Sequence, residues 1–246
     1  NLNDDVFFDK SKQLVVSVDT YINGVHFINF KKPDLVIKKI IRSSISDLIC
    51  KGVKPKYYFI SGSGNNKTFS LINLKRISRS LKEEQKKYNI YLCGGDTVYS
   101  NKLSFTITSI GFAKDILFRN KAKLNDDIYV TGNLGDSYAG LRILKKKISV
   151  NNSLKRYFEK KFYLPDLNMK LINKLSNFAN TSIDISDGLF SDLEKLINKQ
   201  NLSYKLYLDC IPISKNLKNL LISKKLDKIS FVSNGDDYQI LFTANS

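Results

Sequence analysis

The alternation of apolar and polar positions divides the first half of the chain into short strands and amphipathic helices. The apolar run at 13–19 predicts a buried strand, and 35–49 places apolar residues at helical spacing behind Pro33, which favours a first helical turn. The same rules predict strands at 57–61, 90–93 and 103–112 and a charged helix at 71–87. These elements predict one α+β domain.

After Arg119 the pattern starts again, with a plausible boundary within 114–124. Predicted strands of the second half are 128–131, 182–185, 204–208 and 238–242. Predicted helices are 137–146, 154–161, 167–178, 189–198 and 217–222. We therefore predict two mixed α/β domains, 1–114 and 115–246.

The formal net charge of +17 suggests nucleic-acid binding, because clustered Lys and Arg release counterions from a phosphate backbone. The lysines, however, are spread over nearly every segment, and few aromatic side chains lie between them. A solvated basic surface explains this distribution better. A basic RNA-binding module remains the alternative from another class, and salt-dependent retention on a nucleic-acid column would reveal it.

Membrane insertion and disulfide bonding are not indicated by the sequence. No run approaches the roughly 18 apolar residues of a membrane span, and the first residues are polar and acidic rather than a signal peptide. Cys50, Cys93 and Cys210 lie far apart without a CxxC pair, which favours neither a disulfide framework nor a zinc site. We expect a cytoplasmic protein with reduced thiols.

The acidic residues carry the chemical signal. Nine of the 23 fall in five short groups at predicted element ends, namely Asp4 and Asp5, Asp19, Asp47 with Asp96, Asp184 with Asp187, and Asp236 with Asp237. Asp also favours turns and helix N-caps, and that explanation suffices for any one group alone. Together, in a basic protein, the groups indicate an anionic pocket for hard cations.

Magnesium suits such a pocket, since it binds oxygen ligands and is commonly held by one or two carboxylates together with substrate phosphates. The chain has neither a G-x-x-x-x-G-K-[ST] loop nor a G-x-G-x-x-G turn after a strand. The usual backbone cradle for phosphates is therefore missing, and we expect metal ions to hold the phosphates of a nucleotide.

The motifs themselves resemble those of one enzyme family. Ser17–Phe27 reads S-V-D-T-Y-I-N-G-V-H-F and is similar to the S-x-D-T-x-x-x-G-x-H-F segment of thiamine-monophosphate kinases. Further similar segments follow in the same order at Ser46–Leu48, Gly94–Thr97, Leu117–Lys123, Val130–Ser137, Ile183–Leu189 and Gly235–Tyr238. The resemblance spans the chain.

The resemblance implies a two-domain α/β (α+β) fold like that of aminoimidazole ribonucleotide synthetase, forming a homodimer with the site between domains. It implies transfer of the ATP γ-phosphate to thiamine monophosphate with several Mg²⁺ ions, and no nucleic-acid or membrane partner. The N-terminal domain would carry ATP and magnesium binding and dimerisation. The C-terminal α/β domain would be truncated at its C-terminus.

The resemblance also assigns roles to residues. Magnesium ligands are Asp4, Ser17, the backbone carbonyl of Val18, Asp19, Asp47, Asp96, Asp184 and Asp187. ATP contacts are Gly94, Gly95, Arg119 and Ser186. Contacts to thiamine monophosphate are His26 and Asp236. No residue is assigned covalent or acid–base catalysis, because metals and in-line positioning suffice for phosphoryl transfer.

Several positions depart from the family pattern and keep alternatives open. Asn3, Lys51 and Val53 differ outside the assigned ligands, whereas Asn234, Asp236 and Gln239 alter the G-G-E-D-Y-E-L motif. A homologue that binds nucleotide without turnover, or another ATP-dependent member of the superfamily, is therefore an alternative. A structural alternative for Arg119 is an interdomain salt bridge.

Overall fold

The computed structural model describes residues 3–245, which form two compact units. The first comprises Asn1–Leu48 and Val53–Asp115, and the second comprises Ile49–Gly52 and Ile116–Ser246. The short segment Ile49–Gly52 thus belongs to the second unit, an assignment that the sequence pattern does not anticipate.

The first unit is built on a five-stranded sheet of order β1-β2-β5-β3-β4. Its elements are β1 Phe7–Asp9, β2 Leu14–Ile22, α1 Pro33–Cys50, β3 Pro55–Gly64, α2 Leu71–Tyr88, β4 Tyr91–Tyr99 and β5 Ser104–Phe112. β3 and β4 run parallel, and the other neighbouring strands run antiparallel. The edge strand β4 is exposed along its whole length.

A buried ion pair joins the two helices of this unit. Arg42 on α1 donates from Nε and Nη2 to the two carboxylate oxygens of Glu84 on α2, at 2.8 and 2.9 Å. The guanidinium also lies 5.6 Å from the ring centroid of Tyr88. Because a forked guanidinium satisfies both oxygens, neither buried charge is left unpaired, and the pair fixes α2 against α1.

The second unit contains a three-stranded antiparallel sheet of order β6-β8-β7 and several helices. Its strands are β6 Asp127–Val130, β7 Ala179–Asp184 and β8 Ile240–Ala244. Its helices are α3 Asp136–Leu144, α4 Asn152–Tyr163, α5 Ile172–Leu175, α6 Leu189–Ile197, α7 Lys215–Lys224 and α8 Lys228–Val232. Leu134, Ile183, Leu193 and Leu241 belong to one of its hydrophobic core clusters.

Lys51, one of the departures from the family pattern, is buried in the second unit. Its Nζ donates to the backbone carbonyl of Ser182 at 2.7 Å, and the Ser182 hydroxyl donates to the carbonyl of Cys50. A buried lysine is tolerated when its ammonium is hydrogen-bonded. The departure therefore serves to attach the segment Ile49–Gly52 to β7.

The mixed α/β fold class is confirmed, and most predicted elements are present with shifted ends. β1 and α8 are short elements that the sequence pattern missed. The helix predicted at 167–178 is wrong, because the structure has a 3-10 turn at Met169–Leu171 and only the short α5. Asn168 donates its side-chain amide to Gln239, and such polar side chains compete with helical backbone bonding.

The strand predicted at 204–208 is also wrong. The segment keeps the alternation of a strand, with Leu202, Tyr204 and Leu206 half-buried between exposed neighbours, but no strand within residues 3–245 pairs with it. It lines a cavity of about 550 Å³ together with Ile128 and Val130 of β6. Alternating side chains alone do not make a strand, which also needs a hydrogen-bonded neighbour.

No helix within residues 3–245 has the length and hydrophobicity that a membrane span requires.

Candidate functional site

In the first unit, β2 and the last turn of α1 bring together three of the sequence-predicted metal ligands. The Ser17 hydroxyl donates to the Asp47 carboxylate, although thirty residues separate them. Asp19 follows two positions later on the same strand, so its side chain lies on the same face as that of Ser17. Val18 is exposed on the opposite face, as expected for a residue assigned only through its carbonyl.

Asp19 is a carboxylate in an unfavourable environment. Burial raises its pKa to about 6, although hydrogen bonds from Tyr21 and Ser44 partly oppose the shift. The Tyr21 hydroxyl lies 3.3 Å from the Asp19 carboxylate. The anionic form thus lacks full compensation, and a cation at this position would stabilise it.

Asp4 precedes β1, in which Phe7 pairs with Val16 of β2. Continuing that antiparallel register would bring the chain at Asp4 opposite Asp19. The carboxylate of Asp4 accepts a hydrogen bond from the backbone N–H of Asp5 at 2.9 Å. Asp4 thus lies three residues before the edge strand that pairs with the strand of Ser17.

His26 lies in the loop after β2 and is exposed. The backbone N–H of Ile22 donates to its Nδ1 at 2.9 Å, which leaves the proton of a neutral ring on Nε2. The ring meets Tyr21 edge-on, with centroids 5.8 Å apart. An exposed ring held through its Nδ1 suits contact with a ligand rather than packing in a core.

Gly94, Gly95 and Asp96 lie within β4 rather than in a loop. A Cβ added to Gly95 would come 1.8 Å from the carbonyl oxygen of Ile60, so the approach of β3 excludes any side chain. A bulge shifts the β3–β4 register immediately before this segment. Asp96 is exposed and accepts from the backbone N–H of Thr97 at 2.7 Å. Gly95 thus serves the sheet itself, a role additional to its predicted nucleotide contact.

In the second unit, two loops bind each other through their backbones. β7 ends at the buried Asp184, and Ser186 follows it. The N–H of Asp236 donates to the Ser186 carbonyl at 2.9 Å, and the N–H of Tyr238 donates to the Ile185 carbonyl at 2.8 Å. This contact brings the predicted substrate residue next to the predicted metal and nucleotide residues.

Asp236 is held in place by its own neighbours. Its backbone has a positive φ of 68°, and the Tyr238 hydroxyl donates to its carboxylate at 3.0 Å. Gln239, another departure from the family motif, donates from Nε2 to the carbonyls of Asp166 and Asp237. Glutamate at 239 could not donate either bond, so the altered motif forms an ordered loop of its own.

Asp187 and Arg119 complete the predicted set. Asp187 is exposed at the start of the loop before α6, and Lys195 of that helix donates to its carboxylate. Arg119 is half-buried in the segment after Phe118, whose carbonyl accepts from the Thr181 hydroxyl at 2.6 Å. The link that carries Arg119 is therefore attached to β7.

Sequence reasoning missed Asp192 and Lys195, which hold the Asp184–Gly188 loop. The buried Asp192 accepts from the backbone N–H groups of Asp187 and Gly188 at 2.9 and 3.0 Å and from Lys195 at 2.8 Å. An acidic residue in the first turn of a helix was the available signal, since carboxylates favour helix N-termini. Burial lowers the pKa of Lys195, but the carboxylates of Asp187 and Asp192 together raise it more strongly. The pKa of Lys195 is therefore raised overall.

Asp237, adjacent to the predicted substrate residue Asp236, is buried and caps α3. Its carboxylate accepts from the backbone N–H groups of Gly135 and Ser137 at 2.7 and 3.4 Å. Burial raises its pKa to about 8, against these hydrogen bonds and with some help from the charges of Asp136 and Asp236. The folded protein therefore retains a proton that the unfolded chain releases near pH 4.

This shift predicts a pH dependence of stability. Because the pKa is higher in the folded state, the stabilisation is complete at low pH and is lost as the pH rises towards 8. We expect the free energy of unfolding to fall as the pH rises from about 4 to about 8, and Asp237→Asn to flatten that decline. Urea unfolding at several pH values tests this prediction, and Asp209→Asn, at an exposed aspartate, is the control. An unchanged slope in Asp237→Asn would contradict the assignment.

The donors of Ser17, Asp19 and Asp47 fit magnesium chemically, since they are hydroxyl and carboxylate oxygens. Within residues 3–245, no three His, Cys, Asp or Glu side chains are grouped closely enough to form a metal cage by themselves. Magnesium is commonly bound by one or two carboxylates with water and phosphate oxygens completing the octahedron. The pairing of Ser17 with Asp47 and the incompletely compensated Asp19 meet that requirement.

Comparisons with known proteins place this geometry in a family. Residues 3–113 match the model of the AIR synthase related protein N-terminal domain. The thiamine-monophosphate kinase of Buchnera aphidicola subsp. Acyrthosiphon pisum (strain APS) is 36% identical over 241 residues, covering 95% of this chain and 72% of that protein. The Haemophilus influenzae thiamine-monophosphate kinase is 33% identical, covering 94% and 70%.

A solved structure described as AaThiL complexed with AMPPCP and TMP superposes with a TM-score of 0.92 at 28% identity. The match covers 99% of this chain and 79% of that one. The similarity therefore extends through both units and includes the segments that carry the acidic groups. The chain belongs to the thiamine-monophosphate kinase family.

Proposed function

We propose that this protein transfers the γ-phosphate of ATP to the phosphate of thiamine monophosphate, giving thiamine diphosphate and ADP. The observation that carries the proposal is the match over nearly the whole chain to a relative described in complex with an ATP analogue and TMP. The sequence identity of 36% to the Buchnera aphidicola thiamine-monophosphate kinase supports it.

Two sets of oxygen donors would hold the metal ions. The first set is Asp4, Ser17, the Val18 carbonyl, Asp19, Asp47 and Asp96, and the second is Asp184 and Asp187. When bound, Mg²⁺ would neutralise phosphate charge and orient the transferring group. Ser17 orients the Asp47 carboxylate through its hydroxyl, and the backbone of the Asp236 loop supports Ser186.

The remaining roles concern ATP and the acceptor. Gly94, Gly95, Arg119 and Ser186 would contact ATP, with the Arg119 guanidinium suited to bidentate binding of phosphate. His26 would donate from Nε2 to the acceptor, and Asp236 would contact its thiamine moiety. The acceptor phosphate has a second pKa near 6, so it is already largely deprotonated at neutral pH and needs no strong base. We therefore propose that the γ-phosphate passes directly from ATP to the acceptor, without a phosphoenzyme intermediate.

We also propose a homodimer formed through the exposed side of the first unit. β4 is an edge strand, and Val98 and Tyr99 on it are 52% and 73% exposed, while Val18 on β2 is 62% exposed. Exposed edge strands with apolar side chains favour pairing with another chain. Light scattering of the purified protein tests this, and a monomer at micromolar concentration would contradict it.

A cytoplasmic location completes the proposal. Cys50, Cys93 and Cys210 are free thiols, as favoured in a reducing compartment.

The test is to follow ADP release and thiamine diphosphate formation with ATP and magnesium, with and without thiamine monophosphate and with EDTA. Product that depends on acceptor and metal supports the kinase. Nucleotide binding without product would indicate a non-catalytic homologue or another acceptor. Absence of nucleotide binding would overturn the proposal, and salt-dependent retention on a nucleic-acid column would then favour the RNA-binding alternative.

A further inference from the structure

Lys195 lies between a buried carboxylate and an exposed one. Its Nζ donates to Oδ1 of Asp192 at 2.8 Å and to Oδ2 of Asp187. The Asp192 side chain is 0% exposed, whereas that of Asp187 is 64% exposed. One ammonium thus bridges an interior anchor and a surface carboxylate that the proposed function assigns to metal binding.

The two halves of this bridge differ in strength. Asp192 is fixed, because its other oxygen accepts the backbone N–H groups of Asp187 and Gly188. The bond to Asp187 lies at the surface, where an ion pair contributes little and water competes for both groups. The Asp187 bond is therefore the one that would break first.

A divalent cation bound at Asp187 would compete with the Lys195 ammonium for the same carboxylate. If both were bound there, the two positive charges would repel each other across a short distance. Lysine has a flexible four-carbon stem and three donors, so its ammonium can leave Asp187 while keeping Asp192. Removal of the lysine would leave Asp187 with no ammonium to displace.

We propose that Lys195 is a tethered counter-cation that pairs with Asp187 in the metal-free protein and must be displaced when magnesium binds there. Lys195 is thus a positioning residue that sets the magnesium requirement and offsets the charge of Asp187 in the absence of metal. The inference rests on the proposed role of Asp187 as a metal ligand.

The test measures metal binding rather than turnover. Thermal unfolding is followed during titration with MgCl₂ in the presence of the ATP analogue AMPPCP, because binding to the folded state raises the melting temperature. We expect Lys195→Met to lower the half-saturating magnesium concentration about three- to fivefold, as for a partly exposed ion pair. Lys195→Arg retains the charge and should leave it close to wild type. Lys199→Met, on the exposed residue after α6, controls for loss of a nearby charge.

A double-mutant cycle in EDTA tests the pair without metal. Lys195→Met and Asp187→Asn should be coupled there, with the effect of the double variant smaller than the sum of the two single effects. No coupling in EDTA, or a magnesium requirement in Lys195→Met that is unchanged or higher, would overturn the proposal. These results are independent of turnover, so wild-type thiamine diphosphate formation would still stand if the proposal failed. An unchanged magnesium requirement in Asp187→Asn would refute the metal role of Asp187 and this inference with it.

Discussion

An Asp47→Asn variant is expected to lose about 1000-fold in kcat/KM, which corresponds to about 4 kcal/mol of transition-state stabilisation. Asn keeps an oxygen that can accept the Ser17 hydroxyl, so the local packing is retained. The substitution removes the negative charge that the proposed metal site requires. Half-saturation by magnesium should therefore rise together with the loss of rate.

The matched control for Asp47 is Asp34→Asn at the other end of α1. Asp34 pairs with Arg76 of α2 and has no role in the proposed site. We expect activity close to wild type, because a partly exposed ion pair contributes little. Steady-state kinetics at several magnesium concentrations distinguish the two variants. Equal activity of Asp47→Asn and Asp34→Asn would refute the assignment of Asp47 as a ligand.

The sequence predicted the components of the candidate site better than their contacts. Ser17 and Asp47 carry recognisable motifs, but their hydrogen bond joins residues thirty positions apart and depends on how α1 lies on the sheet. Periodicity reports local structure, whereas such a contact follows from packing. Asp192 shows the same limit, because it resembles any acidic residue in a first helical turn until the loop folds back onto it.

Glycine-rich segments show why some elements could not be predicted. The strand predicted at 90–93 continues to Tyr99, although G-G-D-T resembles a loop by composition. The neighbouring strand β3 provides backbone bonding there, and the absence of a side chain at Gly95 lets it approach. The segment 204–208 has the side-chain alternation of a strand but forms none, because no strand within residues 3–245 pairs with it. In both segments the neighbouring backbone determines whether a strand forms, and a single sequence does not show which segments become neighbours.

Gly235→Ala is expected to disturb both stability and catalysis, because Gly235 lies where two backbone segments touch. An added Cβ would come 1.6 Å from the carbonyl oxygen of Ser186 and 2.7 Å from the Cα of Asp187. Neither atom belongs to a side chain that could rotate away, so the loops must separate. Overpacking of this kind costs roughly 1–3 kcal/mol of folding free energy.

The catalytic effect of Gly235→Ala should exceed what the lost stability alone would cause. Separation of the loops breaks the bond from the Asp236 N–H to the Ser186 carbonyl and moves the proposed substrate residue away from the proposed nucleotide residue. A misplacement of about 1 Å can cost about 100-fold in rate, and we expect a loss of that size in kcat/KM. Kinetics below the melting temperature measure it.

Gly62→Ala on β3 is the matched control for Gly235→Ala, since its added Cβ would meet the side chains of Phe105 and Phe69 at 3.2 and 3.3 Å and no backbone atom closer. Side chains can yield by a few tenths of an ångström where a carbonyl cannot, so the control should stay near wild type. Activity of Gly235→Ala within threefold of wild type would show that the two loops need not touch for catalysis. A loss confined to Gly235→Ala would show that the contact between the loops, rather than either loop alone, positions the acceptor against the nucleotide.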